Sequence, residues 1–277
     1  MRIELNPEKY FTDMERAWRY ICKQGSKTLG IEGVKELRGY GDWADEELDG
    51  MDVYWIPENV VDVNLLKKLE MYDLLGLERI SRRGGKEYKT GKFLLEGRYV
   101  FPVRSVMGKI YALIGWYPDL KKYITTPSAL FSKNNLYYGM EQLGKIDKGC
   151  KPNLILVEGI FDSVAVRTLG VNNTVVLATM GSNISGSKKE IYRLFKNIIA
   201  VPDRDKTGRR NLNNDSWGIP IGGTQIRIIQ TQELKDSGIE VKDIDDVVKL
   251  ADHESLRDFF QSVQGLKTAP RRINLPI

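Results

Sequence analysis

Residues 154–162 read LILVEGIFD: an apolar run stops at Glu158, a glycine follows, and Asp162 arrives one helical turn later. The change from an unbroken apolar run to a helical pattern places two carboxylates at the mouth of a strand-to-helix turn. The arrangement recurs. IIAV at 198–201 leads through Pro202 into Asp203-Arg204-Asp205-Lys206-Thr207-Gly208, and IRII at 226–229 precedes Asp243-Ile244-Asp245-Asp246. FDSVAVRTLG, TVVLA and KKEIYRLFK lie between the first two of these runs, so strands alternate with helices from Pro152 onward. That alternation predicts βαβ units around a central, mostly parallel sheet, and such sheets bind ligands at the carboxyl ends of their strands.

Acids gathered at strand ends repel one another unless a cation joins them. An isolated Asp-x-Asp is more often a capped, solvated turn in a chain with 37 acidic residues, but three apolar runs that each lead to acids are hard to explain as surface decoration. The donor chemistry points to Mg²⁺, with Mn²⁺ as a substitute. Magnesium takes hard oxygen ligands and commonly only one or two carboxylates, leaving positions for water and phosphate.

The region before Pro152 has a different texture. Tyr10, Met14, Trp18 and Ile21 recur at helical spacing within 8–40, and VNLLKKLEMYDLLGL at 63–77 resumes helical periodicity after an acidic loop at 42–52. SRRGGKEYKTGK at 81–92 reads as a basic turn. RYVFPVRSV and IYALIGWY, separated by Met107-Gly108-Lys109, read as a hairpin. Basic and aromatic residues interleave in 120–144, which suits either a nucleic-acid surface or a loop anchored by its aromatics. The expected organisation is an α+β subdomain over 1–150, an α/β domain over 151–251, and a helix with a basic, disordered tail over 252–277.

Forty-two basic residues against 37 acidic ones give a net charge of +5, and the excess is uneven. Nine Lys/Arg and two Glu fall between Arg79 and Lys109, which suits a polyanionic partner. The N-terminus carries no apolar h-region and no run of 18 apolar residues occurs, so no membrane association is expected and the protein is expected in the cytoplasm of a bacterial cell. Cys22, Cys150 and the single His253 cannot supply four zinc ligands. The cysteines are expected to pack and His253 to lie on a helix surface.

Glu158-Gly159-x-x-Asp162 followed by Asp203-x-Asp205-x-x-Gly208 resembles the Toprim domain of primases, topoisomerases and some nucleases. Phe101-Pro102-Val103-Arg104, Lys122-Tyr123 with Thr126-Pro127, Phe131-Ser132-Lys133 and Tyr137-Tyr138-Gly139 precede it in order, and this series is similar to the RNA-polymerase core of DnaG-type bacterial and phage primases. The resemblance covers about residues 95–250. Ile114-Gly115-Trp116 stands where the family places an Arg after paired glycines, so a phosphate contact is either replaced by stacking or absent. Asp243-Ile244-Asp245 keeps both carboxylates of the third motif without its proline. Nothing in the chain corresponds to the family's zinc ribbon or helicase-binding domain, as expected of a stripped-down core that a phage could encode.

The resemblance implies nucleotidyl transfer, the synthesis of short RNA primers from NTPs on single-stranded DNA during replication. It makes Glu158, Asp203 and Asp205 the catalytic metal ligands, with Asp162, Asp243 and Asp245 completing the metal site. Arg104, Lys122 and Lys133 would contact template or triphosphate oxygens, and Lys206 and Arg209 would flank the metals. A replicative helicase and a separate zinc-binding protein are the expected partners. The alternatives are a Toprim-type nuclease, whose metals activate water, and a non-catalytic single-stranded DNA-binding replisome module.

Overall fold

The computed structural model describes residues 7–68, 76–83, 86–119, 122–126, 136–146, 149–181, 184, 186–204, 217, 219, 224–229, 238–264 and 271–274. They fall into two compact units, Met1–Phe131 and Ser132–Ile277.

The first unit opens with α1 (Pro7–Gln24), whose Tyr10, Met14, Ala17, Trp18 and Ile21 are all buried. That stripe closes on Leu66, Leu95, Val100 and Leu113, and the Tyr10 hydroxyl donates to Tyr111 O at 2.6 Å. Ser26 caps α2 (Lys27–Arg38) by accepting from Leu29 N–H, and Gly39 ends the helix in the left-handed conformation at φ 68°. The helical expectation for 8–40 therefore holds. The acidic run 42–52 is not a loop: it forms a 3₁₀ turn, Asp42–Ala44, and helix α3 (Asp45–Gly50). Asp45, Glu46 and Glu47 occupy the first turn, where the positive end of the helix dipole stabilises them.

The chain then forms β1 (Tyr54–Ile56) and α4 (Val63–Lys68). The helix expected through residue 77 gives way by Gly76 to a strand, β2 (Gly76–Arg83), which pairs antiparallel with β3 (Lys86–Phe93). Arg83 sits opposite Lys86, so the basic turn expected at 81–92 is mostly the two arms of a hairpin. Two strand-like runs separated by Gly84-Gly85 carry that signal in the sequence. The expected second hairpin is present as β4 (Arg98–Arg104) and β5 (Ile110–Tyr117), and with β1 and β6 (Lys122–Thr125) it makes an antiparallel sheet in the order β1-β4-β5-β6.

Trp55, Tyr99 and Trp116 are register partners across that sheet, with ring centroids 4.8 and 5.5 Å apart. Trp116 is buried in this column. It is spent on cross-strand packing and does not offer a face to a template base, which corrects the stacking expectation.

The second unit is a five-stranded parallel sheet. Its strands and helices are β7 (Asn153–Val157), α5 (Ile160–Thr168), β8 (Thr174–Ala178), α6 (Gly186–Lys189), β9 (Ile198–Val201), β10 (Thr224–Ile229), α7 (Ile244–Leu250), α8 (His253–Val263) and β11 (Arg271–Asn274). The order is β11-β10-β9-β7-β8, every neighbouring pair parallel. All five residues of β7 are buried, as expected of a strand covered on both faces. Leu154 and Leu156 pack with Tyr137, Tyr192, Phe195 and Trp217, while Ile155 and Val157 point to the opposite face. Within the tail, Arg271–Asn274 pairs with β10 from Ile226 to Ile229, which corrects the expectation of disorder for those four residues. A parallel partner far away in sequence orders a segment with no strand pattern of its own.

At the amino ends of these strands the ties are neutral amides. Asn153 Nδ2 donates to Gln264 Oε1 at 2.9 Å, Asn197 Nδ2 to Asn153 Oδ1 at 2.7 Å, and Gln264 Nε2 to Thr174 Oγ1 at 3.0 Å. Beside β8, Tyr138 exchanges two 3.0 Å backbone hydrogen bonds with Ala178, and Tyr137 is buried. These two aromatics of the 120–144 stretch anchor it to the core, whereas Tyr123 is exposed.

Candidate metal centre

The chain runs from β7 outward to β8, then crosses back to place β9 on the other side of β7. The crevice between the carboxyl ends of β7 and β9 is therefore the point where the winding reverses, the place where open α/β sheets bind ligands. Val157 and Val201 are register partners there. Glu158 follows the first directly and Asp203 stands two residues beyond the second, on strands spaced by about 4.8 Å. Both are half-buried.

The backbone around Glu158 is held from both sides. Met180 N–H donates to Glu158 O at 3.0 Å and Thr179 N–H to Val157 O at 2.9 Å, so the loop after β8 clamps the end of β7. On the other side Gly159 N–H donates to Asp162 Oδ2 at 2.7 Å, capping α5. A Cβ on residue 159 would lie 2.6 Å from that oxygen, so a side chain there would push the Asp162 carboxylate out of the cap. Asp162 is buried and spends one oxygen on this cap. Its position shapes the turn that presents Glu158.

Arg204, between Asp203 and Asp205 in the sequence, is tied to the segment that leads into α7. Its N–H donates to Lys242 O at 2.7 Å and its guanidinium to Val241 O at 3.1 Å. Arg204 thus staples the end of β9 to the segment leading into α7, which carries the third acidic group towards Asp203. Asp243 caps α7 by accepting from Asp246 N–H at 2.9 Å, and Asp246 in turn accepts from Lys242 N–H at 2.8 Å. Oxygens of Asp243, Asp245 and Asp246 lie within 4.8 Å of one another. Asp245 is fully buried, and Lys249 Nζ lies 3.1 Å from Asp245 and 3.3 Å from Asp246. These three carboxylates, all at the start of α7, are the hard oxygen donors a divalent cation takes, and among the described residues neither Glu158 nor Asp203 joins their group at that distance. Asp246 and the stapling Arg204 were both visible in the motif, yet their roles depend on contacts between distant segments.

Asp205, Lys206, Arg209 and Lys133 lie outside the described residues, as does the side chain of Lys122, the first residue of β6. Arg104, at the end of β4, is engaged within its own unit: it donates to Asp52 at 2.8 Å and to Gly108 O at 3.2 Å. Asp52 adopts a left-handed φ of 55° and also meets Lys27 at 3.2 Å, so the acidic run supplies the counter-charge for this corner. Cys22 is half-buried and its thiol is pushed up by burial, while Cys150 is exposed and so does not pack as expected. His253 begins α8, with Nε2 3.1 Å from Val248 O.

Lys188 is the residue that sequence reasoning missed altogether. It lies in KKEIYRLFK, which reads as a surface helix, but is buried with Nζ 2.5 Å from Thr179 O and 4.5 Å from the centroid of the Tyr137 ring. Burial pulls its amine down to about 7 and holds the Tyr137 hydroxyl above the usual tyrosine range.

Among the described residues no helix is long and apolar enough to cross a membrane. Residues 155–248 match a family described as Toprim-like. A DNA primase of Pseudomonas putida is 30% identical over 139 residues, which is 49% of this chain and 20% of that protein. The chain thus spans about a fifth of the length of that curated relative. A solved DnaG primase catalytic domain bound to single-stranded DNA superposes with a TM-score of 0.66 at 17% identity, covering 92% of this chain and 79% of the other. The RNA polymerase domain of Mycobacterium tuberculosis DnaG gives 0.65 at 17% identity, covering 95% and 85%. Residues 155–248 are thus similar to a Toprim-like domain, and the chain takes the fold of the solved DnaG catalytic domains.

Proposed function

We propose that this chain is a DNA primase catalytic core that makes short RNA primers on single-stranded DNA by metal-dependent nucleotidyl transfer. The observation that carries the reading is the placement of Glu158 and Asp203 at the ends of adjacent parallel strands where the winding reverses. Glu158, Asp203 and Asp205 would hold the metal, Mg²⁺ or Mn²⁺, with Asp243 and Asp245 beside them and Asp162 setting the turn at Glu158. When bound, a divalent ion supplies Lewis-acid activation of the attacking 3′-hydroxyl and neutralises charge on the departing pyrophosphate. The chain's own part is positional. Carboxylates held by caps and by the β8 loop cost little reorganisation when the triphosphate arrives.

Lys122, Lys133 and Arg104 would contact template or triphosphate oxygens, and Lys206 and Arg209 would flank the site. Arg104 must then exchange its bond to Asp52 for one to phosphate. Single-stranded DNA and NTPs are the proposed substrates, a replicative helicase and a separate zinc-binding protein the proposed partners, and the cytoplasm of a bacterial cell the proposed location. The test is incubation of the protein with single-stranded DNA, labelled NTPs and Mg²⁺ or Mn²⁺. NTP-dependent, metal-dependent primers support the reading; cleavage of the DNA without NTPs would replace it with a Toprim nuclease. Inactivity with both metals, with DNA binding retained, would leave a non-catalytic binding module.

A further inference from the structure

We propose that Lys188 is a positioning residue for Glu158, acting through the peptide unit that joins Thr179 to Met180. The functional half of this inference rests on the reading of Glu158 as a metal ligand; the structural half does not. A trans peptide directs its C=O and N–H in opposite directions in one plane. Here the C=O belongs to Thr179 and meets Lys188 Nζ at 2.5 Å, while the N–H belongs to Met180 and meets Glu158 O at 3.0 Å. One peptide is therefore gripped at both ends, by a buried amine on one side and by the backbone of the candidate ligand on the other.

The surroundings show why such a grip is needed. Met180 adopts φ 57°, uncommon for a residue with a side chain. Backbone in that region persists when its neighbours over-determine it. Lys188 is itself boxed in, because its Nζ lies 4.5 Å from the centre of the Tyr137 ring and its carbonyl accepts from the Tyr137 hydroxyl at 3.2 Å. The Thr179 hydroxyl lies 2.6 Å from Gly181 O and 3.4 Å from Glu158 O, closing the loop on itself. A buried lysine amine is a costly way to fill space, since desolvation draws it down to about 7. An apolar side chain of the same length would pack as well and cost less. The amine gains something a hydrocarbon cannot give, the orientation of the 179–180 peptide.

The experiment is Lys188→Met in the full chain, followed by amide hydrogen exchange and steady-state primer synthesis. The Met180 amide should exchange at least about tenfold faster while amides within β7 keep their protection. Incorporation should fall in kcat by about tenfold with little change in KM for NTP, and the melting temperature should hold or rise. Met180→Gly placed on top of Lys188→Met should recover much of the lost rate, because glycine holds the left-handed backbone without help. Unchanged Met180 exchange overturns the proposal. Faster exchange with undiminished kcat overturns its link to Glu158. Should Lys188→Met fail to fold, the unsubstituted protein still decides: a trans-hydrogen-bond NMR coupling between Lys188 Nζ and the Thr179 carbonyl carbon is expected, and its absence with a visible ammonium signal sinks the contact. If the unsubstituted protein makes no primers with either metal, the primase reading fails, and the Met180 exchange comparison still shows whether Lys188 holds the peptide.

Discussion

A carboxylate placed to bind a cation repels its neighbours until the cation arrives, and Glu158 and Asp203 should behave accordingly. Glu158→Gln and Asp203→Asn each should lower primer synthesis by about 100-fold or more while leaving thermal stability unchanged or slightly higher. Differential scanning calorimetry beside the incorporation assay checks both halves, and a variant that loses activity by unfolding counts against the assignment. Asp162 belongs to another class, since its oxygen caps α5 at Gly159 N–H. Asp162→Ala should cost about 1 kcal/mol of stability, visible in a urea melt. Lys188 gives the protein a pH signature. Its folded-state pKa is depressed, so between about 7 and the unfolded lysine value the unfolded chain binds more protons and stability rises with pH. Lys188→Met should flatten that rise in urea titrations across the same window. Of these residues the strand-end acids were legible because each follows an apolar run, whereas Lys188 sits among charged neighbours and nothing local marks it as buried.

Elements that mate closely are the ones a single methyl group can part. A Cβ on Gly30 of α2 would lie 2.5 Å from Val53 O and 2.9 Å from the Tyr54 Cα, both backbone atoms with no freedom to yield. Gly30→Ala should therefore cost about 2 kcal/mol, read from the shift in the urea midpoint. At the far edge of the parallel sheet β11 covers β10. Removing residues 271–277 would bare that edge, and concentration-dependent light scattering on warming is the expected consequence. The hairpin of β4 and β5 was legible from two β-rich runs around a glycine turn. β2 and β3 were obscured because their Gly-Gly junction lies in a run of charges that reads as a solvated turn. β11 was hidden for a different reason: RRIN has no alternation, and the strand it joins lies more than forty residues upstream.

For the molecule as a whole, the parallel sheet followed from strands alternating with helices, but the strand order did not, because which strand flanks β7 is decided by packing between distant segments. The net charge of +5 and the basic composition between Arg79 and Lys109 suit association with a polyanion. If Lys122 neutralises one phosphate, Lys122→Ala should make the slope of log K against log salt for single-stranded DNA shallower by about 0.7, measured by fluorescence anisotropy over a salt series. An unchanged slope would remove Lys122 from the interface. Such a series needs a protein whose frame ignores the ions being varied. The amide clamp of Asn153, Asn197, Gln264 and Thr174 joins uncharged partners only, so Debye screening has nothing there to weaken. These ties at the amino ends of β7, β8 and β9 are an anchorage indifferent to electrolyte, against which salt-dependent changes elsewhere can be gauged.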